Sequence, residues 1–168
     1  MRDIKEAIRE ANLILTVTNA ITTIINLADL SRGSILCDVS YPANVNMGLG
    51  GKRNDVLVFE GGLSRAPFYD QIKSRKWNIL MPTNGIYGCL AEGLILGFEV
   101  KKDNYSIGRG NIKQERIDEI WKMADKHGFG LSEFFCGHKF YTVDDITRLS
   151  QIVDKNGIRQ EAKAYAYR

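Results

Sequence analysis

The run Leu13-Ile14-Leu15-Thr16-Val17-Thr18-Asn19-Ala20, answered at residues 34–42 by Ser-Ile-Leu-Cys-Asp-Val-Ser-Tyr-Pro, decides the fold. Each is a short apolar, β-branched run that ends in small polar residues. Such a run reads as a buried strand running into a turn. Asp55 to Phe59, followed by Glu60-Gly61-Gly62, is a third. The expected strands are therefore Leu13–Thr18, Ser34–Val39 and Asp55–Phe59. Strands buried on both faces and joined by crossovers imply a parallel sheet covered by helices. The crossovers are Ile21 to Leu30 and a glycine-rich loop holding Gly48, Gly50 and Gly51.

Outward from these strands the pattern turns helical. Ile4, Ala7, Ile8 and Ala11 recur at helical spacing, with Asp3 and Glu6 placed as a capping box. Thr83 is positioned to cap a helix over Asn84 to Glu99, whose apolar residues go nearly all the way round, as in a helix buried on most sides. A helix from Asn111, with Gln114 as its capping partner, shows Ile117, Ile120, Trp121 and Ala124 on one face and stops at Gly128. Lys126 and His127 occupy its last turn, where the helix dipole favours positive charge. A last helix, Val143 to Lys155, starts at Thr142 and Asp145, with Ile146, Leu149 and Ile152 or Val153 as its stripe. The tail at residues 160–168 has no clear partner in the pattern.

Composition narrows the class. The 168 residues fit one ordinary domain, and a net charge of +3 without a basic, aromatic-interleaved run gives no reason to expect a nucleic-acid partner. Three widely spaced cysteines, Cys37, Cys89 and Cys136, do not form a disulfide framework, so a reducing, cytoplasmic setting is expected. The apolar run Gly85 to Phe98 is broken by Glu92 and too short for a membrane span. Cys136 and His138 lack a second pair at zinc spacing, so no metal site is expected.

Ligands of open α/β sheets sit outside the carboxyl ends of the strands. The candidates there are Thr16, Val17, Thr18 and Asn19, then Asp38, then Gly61 and Gly62. Small polar residues and glycines permit close approach of a ribose or nicotinamide ring, although each motif alone also reads as a turn. A strand followed by G-x-G-x-x-G, the usual phosphate cradle, does not occur. Gly48-Leu49-Gly50-Gly51 precedes a strand instead. The segment Gly85-Ile86-Tyr87-Gly88-Cys89-Leu90-Ala91-Glu92 is the most distinctive. A thiol near a helix start sits close to positive dipole ends, an effect that is modest if Cys89 lies past the first turn. Gly85 and Gly88 would leave room beside it for substrate or cofactor. Glu92, three residues on, shares its face. Read alone, Cys89 is a small core residue and Glu92 a buried, paired carboxylate; Cys37 is core, and His127 ends a helix.

With these residues assembled, the sequence resembles the long-chain acyl-(acyl-carrier-protein) reductases, best known from cyanobacteria, and their relatives described as amino-acid dehydrogenases. The resemblance runs through residues 13–45, 55–63, 85–99 and 104–129, in that order. It implies the C-terminal half of a Rossmann-like NAD(P)-binding domain over about residues 1–100, with a helical extension over about 101–168. It also implies NADPH as cofactor, acyl-carrier-protein or coenzyme A thioesters as substrates, and Cys89 as the nucleophile that forms an acyl-enzyme before hydride releases a fatty aldehyde. The nicotinamide contacts would fall at Thr16 to Asn19, Asp38 and Gly61-Gly62. The family's N-terminal region and phosphate-binding loop find no counterpart in this sequence; the missing half would lie upstream, on a separate chain, or be lost, and a homodimer through the open sheet edge is a further alternative. The rival readings are a shikimate- or amino-acid-dehydrogenase type of hydride transfer, in which Cys89 is dispensable, and a non-catalytic subunit that pairs its open sheet edge.

Overall fold

The computed structural model describes residues 3–68, 85–108 and 112–155. Its contacts divide the chain into two compact units. One comprises Met1–Gly61 with Phe134–Arg168, the other Gly62–Glu133.

The first unit is built on a parallel sheet of β1 (Leu13–Thr16), β2 (Ile35–Asp38) and β3 (Leu57–Glu60), in that spatial order. The three runs thus form strands where expected: β1 stops two residues early, β2 loses one residue at each end, and β3 starts two residues later and runs one further, to Glu60. The register aligns Ile14 with Leu36 and Val58, and these side chains share one face. Leu36 and Val58 are fully buried in a cluster with Ile25, Leu27 and Val45. Helix α1 (Ile4–Glu10) adds Ile8 to that cluster, and the Asp3 side chain caps it by accepting the Lys5 N–H.

The opposite face departs from expectation. Leu13 and Leu15 are 69% and 63% exposed, so β1 is not buried on both sides. On that face Ile35 and Leu57 adjoin Ile146, Leu149 and Val153 of helix α5 (Val143–Lys155), and Phe134 lies against Phe59 at 4.7 Å. Their cover favours β2 and β3. Thr142 starts α5 as expected. Its hydroxyl accepts the Asp145 N–H while Asp145 accepts the Thr142 N–H, a reciprocal cap.

The crossover from β1 to β2 contains a 3-10 turn at Leu27–Asp29. The glycine-rich loop becomes the one-turn helix α2 (Met47–Gly50). A Cβ on Gly50 would stand 2.4 Å from Cys136 Sγ and 3.1 Å from a Val58 methyl. That glycine therefore serves close packing on β3 and on the hairpin of β7 (Phe135–Cys136) and β8 (Lys139–Phe140).

The second unit holds a small antiparallel sheet that the sequence pattern did not reveal. Its order is β5 (Ile86–Tyr87), β4 (Leu63–Arg65), β6 (Gly130–Leu131). Helices α3 (Gly88–Phe98) and α4 (Gln114–Lys126) pack around Ile86, Ala91, Ile95, Met123 and Phe129. Helix α3 starts four residues after the expected position, because Ile86 and Tyr87 are taken into the sheet. Thr83, the expected cap, and Asn84, the expected first helical residue, lie outside the described residues, as do Asn111 and the tail at 160–168. Nor is α3 buried on most sides: Cys89, Leu90, Gly93, Gly97 and Phe98 are exposed. Helix α4 ends at Lys126 with His127 as its cap, and Gly128, the expected stop, follows at φ +75°. Among the described residues, no helix is long and apolar enough to cross a membrane.

Candidate functional site

The parallel register carries Thr16, Asp38 and Glu60 to matching positions at the carboxyl ends of β1, β2 and β3. Asp38 is 3% exposed. Its Oδ1 accepts the Thr16 hydroxyl at 2.6 Å and the Ser40 N–H at 3.0 Å. Its Oδ2 accepts the N–H groups of Asn44 at 2.6 Å and Val45 at 3.2 Å. A buried carboxylate needs such donors, and here three come from the turn that follows its own strand and one from the end of β1. That turn contains the cis Tyr41-Pro42 bond.

A second tier of bonds ties the turn to the end of β1. The Asn44 side chain is fully buried, and its Oδ1 accepts the hydroxyls of Thr18 at 2.6 Å and Ser40 at 3.0 Å. The Thr18 N–H in turn donates to Ser40 Oγ. The Asn44 Nδ2 is buried without a hydrogen-bond partner. Ser40 and Asn44 therefore fix the loops that carry Thr16 to Asn19, a role the sequence reading did not give them. The only local signal was the polar-proline turn Ser40-Tyr41-Pro42. Val17, Thr18 and Asn19 are exposed, and Thr16 is turned inward.

Glu60 is also perturbed. Burial pushes its carboxyl above the ordinary value and Asp38 adds to the rise, while the Gly137 N–H opposes it. Gly61 follows. A Cβ there would meet Cys37 Sγ at 2.5 Å and a Val39 methyl at 2.8 Å. The neighbouring strand's side chains thus account for this glycine. Cys37 is half-buried, and its thiol is raised by burial and then by Asp38. Gly62 has φ +71°, a conformation that favours glycine.

In the second unit, Cys89 is the second residue of α3 and is exposed. The sequence expectation placed it past the first turn. The later helix start corrects this and places Cys89 in the first turn, where the backbone N–H groups lack intrahelical partners. The neighbouring glycines also act differently from expectation. A Cβ on Gly85 would lie 2.8 Å from the Ser64 carbonyl oxygen, and one on Gly88 would lie 3.2 Å from that of Gly62. They allow β5 and the start of α3 to approach β4, and the Gly88 N–H donates to the Gly62 carbonyl at 2.7 Å. Glu92 is half-buried and accepts the Ser106 hydroxyl at 3.0 Å.

Gly88 and Glu92, on either side of Cys89 in sequence, line a cleft of about 310 Å³ between α3 and α4. Its walls are mostly apolar, with Leu63, Ile95, Ile120, Trp121 and Leu131 among them, and Asp125 also lines it. His127 is held at its helix end by Glu99, 2.6 Å away. Cys136 is buried with its Sγ toward the Met47 carbonyl, while His138 is exposed.

Among the curated proteins that align with the chain are two of different names. Over 133 residues, 75% of this chain and 37% of the other, it is 28% identical to a long-chain acyl-(acyl-carrier-protein) reductase of Synechococcus elongatus. Over 100 residues, 60% of this chain and 12% of the other, it is 31% identical to the aminotransferase PigE of a Serratia species. The chain thus spans about an eighth of one relative and little more than a third of the other. No family model matches it. The two matched stretches overlap, since together they exceed the chain's length. A shared segment thus occurs in proteins named for different chemistries, and the aminotransferase name describes a protein of which the match covers a small part. The likeness to the reductase is distant homology, and the α/β architecture with its three-stranded parallel sheet is compatible with a Rossmann-like fragment.

Proposed function

We propose that the chain is a C-terminal portion of an acyl-thioester reductase that forms a fatty aldehyde, with Cys89 as the residue that takes the acyl group. The observation that carries this reading is the placement of Cys89, exposed in the first turn of α3 beside Glu92. The distant homology to a reductase supports it.

The step assigned to these residues is acyl transfer. The Cys89 sulfur attacks the carbonyl carbon of an acyl-carrier-protein or coenzyme A thioester. A new carbon–sulfur bond forms, and the old one breaks. The carrier leaves as its thiolate and takes up the proton that Cys89 released. The N–H groups at the helix start favour the negative charge that develops on the attacked carbonyl. Glu92, held by Ser106, orients the thioester from the same helix face.

NADPH, when bound, would supply the hydride that ends the cycle. The residues fit it only in part. Within the first unit, exposed Val17, Thr18 and Asn19 suit a nicotinamide, while Asp38 acts behind them by holding their loop. Among the described residues nothing forms a pyrophosphate cradle: Gly50 is packed on Cys136, and a Cβ on Gly51 would meet Lys139. No hydride step is therefore derived from this chain alone.

The test is coenzyme A release from palmitoyl-coenzyme A, separated chromatographically. The expected result is a burst stoichiometric with protein for wild type and none for Cys89→Ala. An equal burst from Cys89→Ala would overturn the assignment. Absence of a burst from both would favour the hydride-only or non-catalytic alternatives.

A further inference from the structure

We propose that the cleft between α3 and α4 binds the neutral acyl chain of the thioester and discriminates against a free carboxylate. The inference rests on the Cys89 reading for its substrate, and on separate observations for the site. The cleft lies wholly within the second unit, and its volume of about 310 Å³ is at the small end of ligand sites, enough for one slender chain.

Its walls expose apolar surface that water covers poorly. Trp121 is 61% exposed and Leu131 74% exposed. An alkyl chain laid between them and Ile95 gains from removing that surface from water. Gly88, Ala91, Glu92 and Ile95 line the cleft and Cys89 does not, so the chain would extend along the helix face adjacent to Cys89, with Glu92 on it.

Charge selects among apolar ligands. Among the described residues lining the cleft, the ionisable side chains are Glu92 and Asp125, both acidic. A fatty acid anion brought there meets two like charges, whereas a thioester, aldehyde or alcohol carries none. The same arrangement favours an acyl chain ending in a neutral thioester group over the hydrolysed acid.

The test uses the Cys89→Ala protein, which keeps the cleft and cannot be acylated at that position. Decanol and decanoate are titrated while the methyl resonances of Ile95 and Ile120 are followed by NMR. The expected result is saturable binding of decanol and about tenfold weaker binding of decanoate at low salt. The gap should close in Glu92→Gln/Asp125→Asn. Ala124→Phe, which puts a ring into the cleft, should abolish decanol binding with the circular dichroism unchanged. Should that variant unfold, the acid-to-amide pair still decides the matter. No saturable shift with decanol, or decanoate binding as tightly as decanol, would overturn the proposal. Coenzyme A release by wild type without decanol binding would sink the cleft and leave Cys89 standing, and the converse would sink only Cys89.

Discussion

Asp38→Asn isolates what holds the strand-end loops. The substitution keeps the shape of the side chain and one acceptor oxygen. Oδ2 receives two backbone N–H groups and Oδ1 receives one, with the Thr16 hydroxyl. The least costly placement puts the new amide nitrogen at the Oδ1 position. There the Thr16 hydroxyl can rotate and accept, while the Ser40 N–H faces another donor. One buried donor is thus left unsatisfied, and the remaining bonds lose their charge assistance. The cost is about 2–4 kcal/mol. Thr16→Val, which removes one hydroxyl and leaves every backbone donor bonded, should cost about 1 kcal/mol. With two compact units a single unfolding transition is not assumed, so site-resolved amide exchange is the suitable assay. Exchange at Asn44 and Val45 should accelerate by about thirtyfold or more in Asp38→Asn. Protection within twofold of wild type would refute the view that Asp38 organises this end of the sheet.

Three further outcomes follow from the same contacts. Gly61→Ala places a methyl against Cys37 Sγ and Val39, and should destabilise the first unit by about 1–3 kcal/mol, with part restored by Cys37→Ala, as read by amide exchange at the buried residues of β2 and β3. Thr142→Ala removes one side of the reciprocal cap on α5 and should cost about 1 kcal/mol in the same assay. Glu60 has a folded value raised above its unfolded one, so its protonation favours the fold. That contribution is complete below the unfolded value and lost as pH rises through the folded value. Glu60→Gln should therefore be more stable than wild type at about pH 7, with the difference vanishing near pH 3; an advantage that persists in acid would contradict this.

Local signals were legible where the cause was local. The β-branched runs at 13–16, 35–38 and 57–60 form strands, the Thr142–Asp145 pair caps a helix, and Gly128 ends one. What sequence could not supply was pairing over distance. Ile86 and Tyr87 look like the opening of a helix until Leu63 and Ser64 claim them as a strand, and this shift moves Cys89 into the first turn. The glycines at 85, 88 and 61 were legible as places of close approach, but not as to what approaches: it is the protein's own backbone and side chains. Asn44 gave little sign because its burial comes from a turn folded back on Asp38.

The central claim is that Cys89 accepts an acyl group, and intact-mass spectrometry after incubation with palmitoyl-coenzyme A tests it most directly. Cys37 is half-buried and Cys136 buried, so they serve as internal controls. The account predicts one acyl adduct per chain, removed by hydroxylamine, mapped to the peptide bearing Cys89 and absent from Cys89→Ala. No adduct on wild type, or one that persists in Cys89→Ala, would contradict it.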